Sequence, residues 1–287
     1  MSPILLALAA SVLFGLNMAV IKMAIHRKPF ILNAIITFFT AAVVIWLFAV
    51  FADSGLPAAE SVPYFIIAGI LAPGLSAILN FESLKRAGVS ITSSLLATSP
   101  LFSTIFAVYF LKERISLLIG LGTLFIILGV IFLSWFRPKK HIKLADLLLP
   151  LTAALFIGIG AVVSKSGLNI SNLPLSGIAI AVTAGVIAQF IFITALGKWH
   201  TISKNVHDLK YFVIAGIFVG IALIALFLAL SAGDVVIIFP LSNTQALFAI
   251  FFSWLLFKEH DHITRHTLIG AAAIIIGASL VSIGAWV

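Results

Sequence analysis

Apolar residues run through this chain in long, continuous stretches rather than in the alternating pattern of a membrane barrel strand. A helix that crosses a bilayer needs about 20 mostly apolar residues. The runs predict ten such helices, near residues 3–25, 30–52, 62–84, 90–111, 115–135, 147–168, 174–197, 210–231, 234–257 and 264–286. Short connections hold nearly all the charge, and none is long enough for a soluble domain. The longest polar stretches run from Arg137 to Asp146 and from Lys198 to Lys210. Pro29, Pro57, Pro63, Pro138 and Pro174 mark span boundaries. Pro73, Pro100 and Pro240 fall inside spans or near their starts, where they predict kinks or local unwinding beside a cavity.

Composition agrees. Of the 287 residues, 62% are hydrophobic and 9% are charged, against about a quarter charged in soluble domains. The outside of a lipid-facing protein must be apolar as well as its core. The net charge of +8 sits in loops between apolar runs, so it reads as membrane orientation rather than nucleic-acid binding. The absence of cysteine excludes a disulfide framework, a thiolate metal site and a cysteine nucleophile. Met1-Ser2-Pro3 leads straight into apolar sequence without a basic region, so the first segment is expected as a retained helix.

The two halves resemble each other. Ala87-Gly88 opens the fourth span and Lys112-Glu113 closes it; Ala232-Gly233 opens the ninth and Lys258-Glu259 closes it. Gly122 and Gly129 in the fifth span match Gly270 and Gly277 in the tenth. Ala19-Val20-Ile21-Lys22 near the end of the first span matches Val162-Val163-Ser164-Lys165 in the sixth. Five spans per half is an odd number, so the second half must enter the membrane from the opposite side. The expected fold is therefore an all-α integral membrane protein of ten transmembrane helices in two inverted five-helix repeats, an architecture that many transporters use around a midplane site. The expected organisation is residues 1–136 as the first repeat, 137–146 as a basic linker and 147–287 as the second. The alternative is a duplicated helical scaffold with no transport role.

Phe14-Gly15-Leu16-Asn17 followed by Lys22 resembles the first-helix signature of EamA-type transporters in the drug/metabolite transporter superfamily, with Phe14 where Trp is usual. Ala87-Gly88, Pro100-Leu101-Phe102 and Lys112-Glu113-Arg114 resemble that family's fourth helix and its exit. The second half keeps Ala232-Gly233 and Lys258-Glu259, but has Ala246 opposite Pro100 and His260 opposite Arg114. The resemblance covers the whole chain. It implies a ten-helix carrier of small metabolites, often an exporter, in a prokaryotic inner membrane, with a central cavity lined by spans one, three, four, six, eight and nine. It also implies termini on the cytoplasmic side.

Charge predicts the reverse orientation. The loops after odd-numbered spans hold Lys22, Arg27, Lys28, Lys85, Arg86, Arg137, Lys139, Lys140, Lys143, Lys198, Lys204, Lys210, Lys258 and Arg265, leaving Lys112, Arg114 and Lys165 for the even ones. The positive-inside rule puts the odd loops in the cytoplasm and both termini outside.

A charge inside a membrane costs several kcal/mol, so polar residues in spans are the functional candidates. All nine acids lie at or near span ends. None stands mid-way along the first span, where proton-coupled exporters of cationic drugs in the wider superfamily keep a glutamate. Glu82 is the deepest acid and has Asn80 nearby. It suits amine binding or proton coupling, or else an interfacial ion pair with Lys85 or Arg86. Lys22 and Lys165, the paired lysines of the two halves, can attract a carboxylate-bearing solute at each end of a path or snorkel to headgroups. Asn17, beside Gly15 and Ala19, fits either a cavity wall or a packing amide. The fourth span has Ser93-Ser94 and Thr98-Ser99-Pro100, and the ninth has Pro240-Leu241-Ser242-Asn243-Thr244-Gln245. Thr98, Ser99, Ser242, Asn243 and Gln245 are the candidates there, because polar side chains beside a helix break can hydrogen-bond a solute. Interhelical hydrogen bonding is the alternative. Gln189 reads as a packing contact. Glu259-His260-Asp261-His262 with His266 reads as a solvated loop rather than a metal site.

No HExxH, Walker loop, nucleophile elbow or dinucleotide fingerprint is present, so nothing supports an enzyme or an ATP-driven pump. The leading expectation is a secondary carrier of small polar metabolites working by alternating access. Amino acids, related zwitterions or organic anions are the expected solutes, and export the expected direction. The expected partners are a small-molecule solute and membrane lipid, with no cofactor, no metal and no nucleic acid; the sequence leaves the oligomeric state open, a monomer being plausible. The alternatives are a proton-coupled exporter of organic cations or drugs, and a non-transporting scaffold or sensor.

Overall fold

A computed structural model describes residues 2–25, 31–52, 55–87, 89–133, 144–195, 197, 209–256 and 265–286. The apolar runs become helices because a helix satisfies its backbone polar groups within one segment, as hydrocarbon surroundings require. The chain forms α1 (Pro3–Ile25), α2 (Ile31–Phe51), α3 (62–86), α4 (89–111), α5 (Leu117–Leu133), α6 (Leu144–Ile170), α7 (Pro174–Ala195), α8 (Leu209–Ala232), α9 (235–256) and α10 (Arg265–Gly284). Among the described residues, nine are long and apolar enough to cross a membrane, and α5 is an apolar helix with 17 residues described. Each coincides with an expected span, and no strand occurs among the described residues.

The prolines act where the sequence places them. In α3, an α segment Val62–Gly69 gives way to a π-helical segment Ile70–Ser76 around Pro73, then to Ala77–Arg86. In α4, Val89–Leu96 and Ser99–Phe106 are separated by a turn at Ala97 and Thr98, with Pro100 at the start of the second segment. Pro100 has no N–H to give to the preceding turn, so the helix cannot run through regularly. In α9, Val235–Ser242 contains Pro240 and ends in a turn at Asn243 and Thr244, and Gln245–Leu256 follows.

The helices form two bundles, each mixing both halves. In one, α1 packs on α8 and α9, and α8 also on α2. In the other, α6 packs on α3 and α4, and α3 on α7. The bundles meet where α2 lies against α7, and α5 and α10 pair with each other. Close backbone approach at glycines holds these contacts, a device suited to membranes, where tight van der Waals packing replaces the hydrophobic drive. Gly15 of α1 lies against Phe248 and Ala249 of α9, and Gly158 of α6 against Phe102 and Ser103 of α4. A Cβ on Gly122 would stand 2.6 Å from the Gly277 carbonyl oxygen, and one on Gly277 would stand 2.6 Å from that of Gly122. These paired approaches display the inverted duplication in three dimensions.

One face of the protein gathers the ends that the loop count assigns together. Gly233, after α8, lies beside Pro3. The Ala58 amide donates to the Ser171 hydroxyl, joining the α2–α3 and α6–α7 connections. Ser116, before α5, lies 3.5 Å from the Gly284 carbonyl at the end of α10. We call this the even-loop face.

Candidate functional site

The two helix breaks are equivalent in the repeat. Thr98 in α4 donates its hydroxyl to the Leu95 carbonyl at 2.6 Å; Thr244 in α9 stands 2.7 Å from the Leu241 carbonyl. These bonds satisfy carbonyls that a regular helix would pair with amides four residues on. Thr244 also lies 3.1 Å from the Ser11 hydroxyl, tying the α9 break to α1. Asn243 sits in the break, with its side-chain amide donating to the Phe239 carbonyl at 3.1 Å. Ser242 donates to the same carbonyl at 2.8 Å, and Gln245 begins the second segment of α9. Ser99 begins the second segment of α4 and is buried. Thr98, Ser99, Ser242, Asn243 and Gln245 therefore all stand at the breaks, in α4 of one bundle and α9 of the other.

Asn17 is buried in α1, and its Oδ1 has no hydrogen-bond partner among the described residues. An unpaired amide oxygen in an apolar interior costs about 1–3 kcal/mol, so this atom has capacity for a donor. Thr104 Oγ1 in α4 and Gln189 Oε1 in α7 share that state. The Gln189 amide donates to the Pro73 carbonyl in the π-helical part of α3, which is the packing role expected of it.

Asn80 and Glu82 lie in the last segment of α3, away from the breaks. Glu82 accepts from Arg86 at 2.8 and 2.9 Å, and Arg86 also lies 3.8 Å from Asp146 at the start of α6. Lys22 lies near the end of α1. The Glu259-His260-Asp261-His262 stretch falls outside the described residues, among which no group of three or more His, Asp or Glu is placed to hold a metal ion.

Lys165 is 9% exposed and reaches out of α6. Its Nζ donates to the Leu230 carbonyl at 2.7 Å and to the Gly233 carbonyl at 3.0 Å. These are orphan groups at the C-terminus of α8, where helix polarity favours a cation. Immediately after Gly233 comes a contact that the sequence does not reveal. Asp234 holds the N-cap position of α9 but makes no side-chain cap. Glu113, from the α4–α5 loop, supplies the acceptors instead: Val235 N–H donates to Oε1 and Val236 N–H to Oε2, both at 3.0 Å. Lys112, at φ 57, turns the chain left-handed and directs Glu113 there. Burial pushes the Glu113 carboxyl above its usual range, against the two amides, which lower it; the Asp234 charge adds to the rise and the Lys165 charge opposes it. Both motifs were visible in the sequence as repeat markers, Lys112-Glu113 and Ala232-Gly233, but nothing there showed that one holds the residues after the other.

A solved crystal structure, described only as that of a protein, has the same fold. It is 17% identical with a TM-score of 0.81, and the match covers 99% of this chain and 97% of the other. No curated protein matches the sequence. The EamA-like transporter family matches twice, over residues 1–135 and again over 144–283, which is one match per five-helix half. With ten apolar helices, two repeats and both halves matched, the chain belongs to the EamA-like transporter family.

Proposed function

We propose that this protein is a secondary carrier that moves small polar metabolites, amino acids or related zwitterions and organic anions, across a prokaryotic inner membrane by alternating access, in the direction of export. One observation supports the reading: equivalent breaks fall at matching places along α4 and α9, one helix in each bundle, and Thr98, Ser99, Ser242, Asn243 and Gln245 stand at them. Broken helices bring backbone and side-chain polar groups to a solute where irregular backbone is otherwise excluded. The buried, unpartnered oxygen of Asn17 adds an acceptor suited to an ammonium or amide donor. Lys165 and Lys22 supply positive charge for the carboxylate end of such a solute. Asn80 and Glu82 lie toward the odd-loop end of α3, where they suit an entry position. A bias of 14 basic residues in odd loops against 3 in even ones supports termini outside.

The test is transport. Purified protein in liposomes is expected to move at least one amino acid or organic anion down its gradient, and Asn17→Ala and Asn243→Ala to slow that movement without loss of folded protein. Inactivity of well-folded protein across a broad metabolite panel would sink the reading.

A further inference from the structure

Glu113 and Lys165 both bridge the two bundles at one place. Glu113 follows α4 and Lys165 belongs to α6, so both come from the bundle of α3, α4, α6 and α7. Everything they grip belongs to the other bundle: the last carbonyls of α8, Gly233, and the first amides of α9. The grip lies on the even-loop face, where Gly233 sits beside Pro3. By contrast, the Arg86–Asp146 pair at the opposite face joins α3 to α6 within one bundle.

We propose that Glu113 and Lys165 form a latch that closes the even-loop face by holding the α8–α9 turn of one bundle against the other. The gating role rests on the alternating-access reading above. Its logic is backbone satisfaction. Val235 and Val236 are fully buried, and their amides lie among the helix-start donors that have no partner within the helix. Asp234 leaves the side-chain cap unmade, so the carboxylate acceptors come from the opposing bundle. The α8 carbonyls have the same arrangement with Lys165. When the bundles part at this face, water replaces both side chains; while they stay together, Glu113 and Lys165 fill those roles. The latch therefore uses groups that are costly to leave unpaired in the closed arrangement and cheap to hydrate in the open one. The charged and titratable groups facing Glu113 are Asp234 from the turn and Lys165 from α6. Lys and Glu recur in sequence at the matching positions of the other half, Lys22 and Glu259, which ties the device to the duplication.

The chain has no cysteine, so a single reporter can be read without background. With Asn243→Cys as reporter, labelling by a membrane-impermeant maleimide applied from the even-loop face is expected to rise about tenfold in Glu113→Ala, which removes two charge-assisted hydrogen bonds. Lys165→Met should give a similar rise and Lys165→Arg should stay near the parent, because a guanidinium can still donate to the two carbonyls. Labelling from the opposite face should fall. Unchanged even-face labelling in folded Glu113→Ala overturns the latch, as does an equal rise from both faces, which would mean general loosening. A one-sided rise, with no solute carried by the unsubstituted chain, would uphold the latch and sink the transport reading. Unchanged labelling, with an unsubstituted chain that does carry solute, would do the opposite.

Discussion

The two halves share a plan but are bent differently. In the first half, α3 passes through a π-helical segment at Ile70–Ser76 and α4 ends in another at Ala107–Leu111. Their counterparts in the second half, α8 and the later part of α9, remain α-helical. The cause is local. Pro73 interrupts α3, and Gln189 and the Ser76 hydroxyl satisfy the Pro73 and Ala72 carbonyls there. No proline stands in α8, whose Gly216 lies against the Thr37 carbonyl much as Gly69 of α3 lies against that of Ala181. Duplication thus preserved the contacts between helices while the helices themselves diverged. The parts that stayed alike are the breaks at Thr98 and Thr244 and the glycine crossings. The parts that differ are the π-helical segments at Ile70–Ser76 and Ala107–Leu111.

The comparison can be broken in order of effect. The largest effect is expected at the shared crossing. Gly122→Val and Gly277→Val each drive a side chain into the partner's backbone, and each should cost about 3 kcal/mol, seen as loss of the thermal transition in detergent. Tolerance of one but not the other would show that the two halves do not bear the crossing equally. Next comes the feature confined to the first half. Gln189→Leu removes the donor to the Pro73 carbonyl and should lower stability by about 1 kcal/mol in the same melt, the scale of hydrogen bonds inside membranes.

The breaks should respond unequally. Thr244→Val loses contact with both Leu241 and Ser11, whereas Thr98→Val loses only Leu95, so the first should destabilise by about 1 kcal/mol and the second by about half that. Equal shifts would deny that α1 supports the α9 break. The smallest effect concerns pH. Burial raises the Glu113 pKa in the closed latch, and exposure on opening returns the carboxyl toward its ordinary value. The closed form therefore binds the proton more tightly, and protons favour closure. Even-face labelling of Asn243→Cys should rise more steeply than in its Glu113→Ala derivative as pH climbs through the raised Glu113 value, since thiolate formation speeds maleimide labelling in both. A shallower rise than in Glu113→Ala would mean that the two amide hydrogen bonds outweigh burial.

Much of this was legible in the sequence. Continuous apolar runs fixed the ten helices, because length and hydropathy are local properties that bilayer thickness reads directly. The prolines located the α3, α4 and α9 irregularities, since a missing N–H is a local fact. Ordered motif pairs revealed the duplication. What could not be read was which side chain meets which backbone group across the bundles. In sequence Lys165 reads as a snorkelling or solute-binding lysine, and nothing there shows the contacts it makes with carbonyls 65 and 68 residues away. Glu113 was noticed only as a repeat marker, because nothing in Lys112-Glu113-Arg114 says that its acceptors serve amides 122 and 123 residues on. The reach of Glu82 was legible within one helix turn, as its pairing with Arg86 spans four residues.

The pairing of α5 with α10 bears on the lipid around the protein. Leu117, Leu121, Leu124 and Leu128 of α5 and Leu268, Ile269, Ile275 and Ile276 of α10 remain exposed, while the Gly122–Gly277 crossing lies between the two helices. In hydrocarbon an acyl chain is as apolar as a leucine, so lipid competes with each of these helices for the other. The glycines settle that competition, because no acyl chain can come as near to the α5 backbone as α10 does. The seam between the two repeats is thus also a surface from which lipid is kept out.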